Sequence, residues 1–186
     1  MSKNNLVILV ALEKEVSQKD IPPEVYLRYT GVGKINAAIT AIETILEFNS
    51  DLEIVNIGTC GSAVHPYGTV LSCTQFKQMD MDATAAGLEL GTTPFSDYAP
   101  IIEFGDSTAT PVLCGSQDKF ETEIPNTVDC IEMEAFAIAL ACKKYDVPFR
   151  AYKVVSDQGG NQGHDAWLKF LEDDMPFVIN EIKELL

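Results

Sequence analysis

The sequence predicts a three-layer α/β/α sandwich on a central mixed, largely parallel sheet, and three observations carry that expectation. Short runs rich in apolar and β-branched residues, bounded by Gly, Pro or Asp, are apolar on both faces. Amphipathic patterns of helical period lie between or after them. Strands that must be buried on both sides, alternating with helices, imply a sheet covered on two faces. The strand runs are LVILVAL (6–12), EIVNIG (53–58), GTVLSCTQF (68–76), TPVLCGS (110–116) and PFRAYKVVSD (148–157). The helical patterns are 34–49, 131–145 and 165–186. Residues 77–109 scatter Gly, Pro, Asp and Thr among apolar residues and read as a long surface excursion. With 186 residues, 46% of them hydrophobic, and no repeat or low-complexity linker, one domain over 1–186 is expected.

Charge and composition exclude several classes of function. Thirteen basic residues against 28 acidic ones give a net charge of −15, which disfavours nucleic acid and anionic membrane as partners. The opening MSKNNLVILVALEKE passes from apolar run to charge without a small-residue cleavage site, so it reads as a buried first strand. No stretch approaches the roughly 18 apolar residues of a spanning helix. Five cysteines, odd in number and without CxxC spacing, fit a reducing cytoplasm. Two distant histidines and no paired cysteines give a zinc site no support, and neither metal nor cofactor is expected.

In such folds ligands collect beyond the carboxyl ends of the strands, so the residues delivered there are the candidates. The first run ends in Glu13-Lys14-Glu15, either a solvated turn or two carboxylates at the crevice edge. YTGVGKINAA is a glycine-containing turn into a helix, able to present N–H groups to a polar ligand. Asn36 and Arg28 occupy glycine positions of the two nucleotide fingerprints, and both motifs fail. Gly58-Thr59-Cys60-Gly61-Ser62 is either a tight turn or a floor of small residues under a ligand. Ser156-Asp157 before two glycines is a turn or a proton donor, if burial raises its pKa. Cys60 reads as packing, His65 as a turn residue, and His164 as a cap as readily as a base. Phe120 and Trp167 are core aromatics or stacking platforms. Glu132 and Glu134 open the pattern IEMEAFAIALACKKY; in a helix they lie about 200° apart, so only one faces the crevice.

Taken in order, ALEKEV, TGVGKINAA, NIGTCGS, MDMDAT, IEMEAFAIA and VVSDQGG resemble the nucleoside phosphorylase and nucleosidase superfamily. The likeness is strongest to its 5′-methylthioadenosine/S-adenosylhomocysteine nucleosidases and runs from about residue 5 to the end. It implies a nucleoside phosphorylase-like fold, cleavage between ribose C1′ and purine N9, and a homodimer. By the resemblance Asp157 is the acid that protonates N7, with Ser156 beside it, and Glu15 the base that activates water. Glu134 grips the ribose hydroxyls, Met133 packs on the sugar, and Thr59, Cys60 and Gly61 lie under the nucleoside. Phe120 stacks on the purine, and Trp167 falls where the family has a phenylalanine near the lid. Lys153 replaces an arginine and is expected to orient Glu134. Glu134 fits the family's Met-Glu-Ala pattern, so Glu132 is expected to matter far less.

Superfamily phosphorylases present arginines to phosphate, whereas this chain has Asn56 near one such place and Glu13-Lys14-Glu15 at another. Carboxylates beside a phosphate dianion repel it by roughly 1 kcal/mol or more per close pair. Water is therefore the expected nucleophile, and the substrate a 5′-substituted adenosine or a related nucleoside. A phosphorylase with unusual phosphate ligands and a non-catalytic nucleoside binder are the alternatives. The family's chains are longer, and the rim is expected to be trimmed at 17–24 and 95–112. GLELGTTPF (87–95) would close the 5′ side of a partner's pocket.

Overall fold

A computed structural model describes residues 5–49, 51–105, 110–160 and 163–185. Its strands are β1 (Asn5–Val10), β2 (Tyr26–Tyr29), β3 (Leu52–Gly61), β4 (Val70–Cys73), β5 (Gln75–Gln78), β6 (Ile101–Glu103), β7 (Leu113–Ser116), β8 (Cys130–Glu132) and β9 (Phe149–Asp157). The helices are α1 (Lys34–Glu47), α2 (Ala135–Tyr145), α3 (Gly163–Asp173) and α4 (Met175–Lys183). All nine strands join one sheet. β2, β1, β3 and β9 run parallel, as do β5, β7 and β8, while β4 on β9 and β6 on β5 are antiparallel. β3 outruns β1, and its last residue, Gly61, bridges Ile131 of β8 antiparallel. The sheet therefore forks at the carboxyl end of β3.

Side-chain alternation along the strands makes two cores. In β1, Val7 and Leu9 pack with Ala37, Ala41 and Ile45 of α1 and Phe136 and Ile138 of α2. Ile8 and Val10 point the other way, onto Phe170, Leu171, Met175, Ile179 and Ile182 of α3 and α4. Both faces of the sheet are covered by helices, as the doubly apolar strand runs imply.

Several boundaries differ from the sequence reading. Residues 131–145 are not one helix: Cys130–Glu132 pairs with β7 as a strand, and α2 begins only at Ala135. Over three residues an alternating and a helical pattern are indistinguishable, and the pairing with β7 decides. The pattern 165–186 breaks at Asp174, where Pro176 occupies the first turn of a new helix, a position at which its missing N–H costs nothing. GTVLSCTQF divides into β4 and β5 at Thr74, and Gly58–Gly61 is the end of β3, not a turn. The excursion 77–109 is largely exposed and irregular, apart from the last residues of β5, a 3₁₀ turn at Thr84–Ala86 and β6; its residues 106–109 lie outside the described ones.

Candidate active site

A cleft of about 170 Å³ opens where β3 and β9 end and the sheet forks. Its floor is Thr59, Cys60 and Gly61 from β3 with Ser156 and Asp157 from β9. Glu15 enters from the loop after β1, Met133 and Glu134 from the junction of β8 and α2, Phe120 from the loop after β7, and Trp167 from α3. The structure thus brings together every sequence-predicted site residue except Lys153, which lies beneath the cleft and is 1% exposed.

Glu15 is buried and fully engaged. Its Oε1 accepts from the Thr59 N–H and the Thr59 hydroxyl, each at 2.9 Å, and its Oε2 from the Leu12 N–H at 3.2 Å. The Trp167 indole N–H donates to Thr59 Oγ1 at 2.9 Å. Gly58 leaves the room these contacts need, because a Cβ there would stand 3.3 Å from Lys153 Nζ and 3.4 Å from Glu15 Oε1.

Around Glu132 the structure corrects the sequence reading twice. Lys153 Nζ donates to Glu132 Oε2 at 2.7 Å, so the lysine's direct partner is Glu132, not Glu134. Glu132 is also not turned away from the site: it is buried and lines the cleft together with Glu134. Because Glu132 ends a strand, its carboxylate reaches forward over the first turn of α2. It accepts the N–H of Glu134 at 3.0 Å and that of Ala135 at 3.0 and 2.9 Å. The Ser116 hydroxyl donates to it as well, while Ser116 Oγ takes the Phe136 N–H at 2.8 Å. An anion at a helix N-terminus is stabilised by those free N–H groups and by the dipole. Burial works against the Lys153 ammonium, yet Glu132 more than offsets it and lifts the lysine's pKa above its ordinary value.

Glu134 accepts the Gly33 N–H on its Oε1, at 2.8 Å, its one donor among the described residues, from a glycine whose φ of +95° few other residues adopt. Its pKa is pushed up to about 8, first by burial and then by the charge of Glu132, with Lys153 and the Gly33 N–H opposing. One ammonium thus faces two carboxyls, and Glu132 holds it.

Asp157 is buried at 7% exposure, and its pKa is raised by desolvation against the pull of two donors. These are the Gly159 N–H at 2.9 Å and the Ser156 hydroxyl at 3.3 Å, the latter also within 3.2 Å of the Cys60 carbonyl. A Cβ on Gly61 would come within 2.6 Å of Ile124 Cδ1 and 3.2 Å of Asp157 Oδ1, so a larger residue there would have to push the Ile124 side chain aside and crowd this acid. Phe120, His164 and Trp167 form an aromatic row at the mouth, with centroids 6.0 and 5.7 Å apart. Cys60 packs into the core, and His65 pairs with Asp129 at 2.9 Å rather than entering the cleft.

Two contributors escaped the sequence reading. Glu121 ties its own loop together by accepting from Gln117 at 3.0 Å and Lys119 at 3.1 Å, and these contacts hold its carboxyl down at about 2. Glu132 was readable in principle: a lysine in the apolar run YKVVSD needs a buried carboxylate, and few were on offer.

Comparison with known proteins gives three results. A model of the Phosphorylase superfamily matches residues 115–186. The chain is 34% identical over 173 residues to 5′-methylthioadenosine/S-adenosylhomocysteine nucleosidase of Staphylococcus aureus (strain MRSA252), covering 80% of this chain and 75% of that one. In fold it resembles 5′-methylthioadenosine/S-adenosylhomocysteine nucleosidase from Helicobacter pylori, with TM-score 0.86 and 20% identity over 99% of this chain and 98% of that one. It also resembles futalosine hydrolase of Helicobacter pylori, with TM-score 0.84 and 20% identity over 97% and 96%.

Proposed function

We propose a substrate and a mechanism for a chain that belongs to the 5′-methylthioadenosine/S-adenosylhomocysteine nucleosidase family and is, as such, a hydrolase of N-glycosidic bonds. The substrate is a purine nucleoside of the 5′-substituted adenosine class. Asp157, whose burial favours the protonated form, gives its proton to purine N7 as the C1′–N9 bond lengthens. Glu15 takes a proton from the water whose oxygen bonds to C1′, so free base and free sugar leave together. Glu134 binds the ribose hydroxyls as positive charge grows on the ring. Met133 packs on the sugar, Phe120 stacks on the base, and Ser156 steadies Asp157. Thr59, Cys60 and Gly61 form the floor, with Trp167 above them. Lys153 contributes from below by fixing Glu132, whose carboxylate sets the N–H groups at the head of α2.

The observation that supports water over phosphate is the charge on the cleft wall. Glu15, Glu121, Glu132, Glu134 and Asp157 line it, and the cation among the described lining residues is Lys119, already bonded to Glu121. A phosphate dianion entering would meet the charged carboxylates among these, with Glu134 and Asp157 leaning to their protonated forms, and no free cation among the described lining residues. Base release from methylthioadenosine, S-adenosylhomocysteine, adenosine, inosine and futalosine, with and without phosphate, tests this. Release that depends on phosphate would refute hydrolysis.

Three further readings follow from the exposed apolar surface, the cysteines and the shared sheet. Ile35, Ile39 and Leu46 on α1, with Leu88, Leu90 and the fully exposed Phe95, are apolar surface suited to a second copy of the chain, whose residues 87–95 would close the 5′ side. Sedimentation at micromolar concentration is expected to show a dimer, and a monomer would refute it. All five cysteines are free and buried, in keeping with a reducing cytoplasm, and two cores sharing one sheet support one domain over 1–186. No described helix is long and apolar enough to cross a membrane.

A further inference from the structure

We infer that Trp167 is a positioning residue for Glu15, acting through the hydroxyl of Thr59. An indole N–H only donates, so at 2.9 Å from Trp167 Nε1 the Thr59 oxygen must accept. A hydroxyl has a single proton. With one lone pair of Thr59 Oγ1 taken by the indole, that proton is directed to Glu15 Oε1, also 2.9 Å away. The Thr59 N–H reaches the same carboxylate oxygen at 2.9 Å, so Oε1 is held by two donors from one residue. Without the indole N–H, the Thr59 hydroxyl would be free to rotate and to offer its lone pair, rather than its proton, to the site. Hydrogen bonds in such a chain also polarise one another, so the indole strengthens the Thr59 donor.

The three residues come from separate elements: the loop after β1, the end of β3, and α3. The link therefore fastens α3, at the mouth of the cleft, to the carboxylate on its floor. The same helix brings Gly163 to the other acid: a Cβ there would sit 3.4 Å from Asp157 Oδ1. Docking of α3 and orientation of Glu15 become one event. This inference rests on the assignment of Glu15 as base in its catalytic consequence, but not in its geometry.

Two experiments separate those parts. Trp167 is the chain's single tryptophan, so a ¹⁵N-labelled sample gives one indole N–H resonance. That resonance is expected to move in Thr59→Val and, through the relay, in Glu15→Gln. A resonance unmoved by Thr59→Val overturns the inference, whether or not any nucleoside is hydrolysed; a wild-type protein inert on every nucleoside overturns instead the activity reading. In kinetics, Trp167→Phe keeps an aromatic ring, smaller than the indole, and loses the N–H. It is expected to lower kcat about 3- to 10-fold while KM stays within about 2-fold, the size of one hydrogen bond. Thr59→Val should cost at least as much, and Trp167→Phe should cost nothing further in the Thr59→Val background. A Trp167→Phe effect on KM alone, or full additivity of the two losses, would show a packing role and overturn the inference.

Discussion

Glu132→Gln removes one charge and no volume, yet it disturbs contacts to β7, β9 and α2 at once. The carboxylate serves two sets of donors: Ser116 and Ala135 on Oε1, and Lys153, Glu134 and Ala135 on Oε2. A glutamine must turn its NH₂ toward one set. Facing Lys153 and two backbone N–H groups it finds only donors, so it settles on the Ser116 side, where the hydroxyl can rotate to accept. The carbonyl then keeps Lys153 and Glu134, and the geometry survives better than the electrostatics. Lys153, 1% exposed, has lost its counter-ion, and breaking a buried pair in this way costs about 3–5 kcal/mol. Glu134 cushions the loss. Relieved of the neighbouring charge that helps push its pKa to about 8, it ionises more readily and becomes the lysine's partner. The net expectation is a loss of about 2–4 kcal/mol at pH 7, a large part of the roughly 5–15 kcal/mol that holds a domain of this size. Urea unfolding of wild type, Glu132→Gln and Glu132→Gln/Lys153→Met measures it, and the double variant should recover part of the deficit. A single-variant loss below about 0.5 kcal/mol, the scale of a solvent-facing change, refutes the reasoning.

Glu134→Gln should dissociate stability from activity. A carboxyl whose folded pKa exceeds its unfolded value of 4.5 holds its proton more tightly when folded, so its contribution is whole below that value and erodes as pH rises toward about 8. The variant lacks this erosion, so at pH 9 it should be more stable to denaturant than wild type by on the order of 5 kcal/mol, while turnover falls. Equal pH dependence of the two proteins would contradict it. Asp157→Asn and Glu15→Gln should each reduce turnover by at least about 10²-fold, and near-normal rates in either would remove that residue from its role. If Asp157 is the acid, wild-type kcat should fall as pH climbs past its raised pKa, and Asp157→Asn should lose that limb.

The strands that carry the site were plain in the sequence because burial on both faces leaves long apolar runs, and β1, β3 and β9 each hand polar residues to one end. Glu15 and Asp157 stand directly after or at the close of such runs, where strand direction alone predicts a crevice. Glu132 was misplaced for a physical reason. CIE is too short for its period to be measured, and its fate is set by pairing with β7, whose register is invisible locally. The Trp167–Thr59 contact spans 108 positions, and nothing near either residue announces it.

The fork at Gly61 divides labour as well as strands. The floor and the acids hang from β3, from β9, from the turn after β1 and from the start of α2, all anchored in sheet or core, while the segments 17–24 and 87–105 are peripheral loops and short edge structure outside the residues that line the cleft. The reacting groups and the rim are thus carried by separate parts of the molecule. A lineage can shorten or rewrite the rim without moving a carboxylate by the fraction of an ångström that bond cleavage would notice.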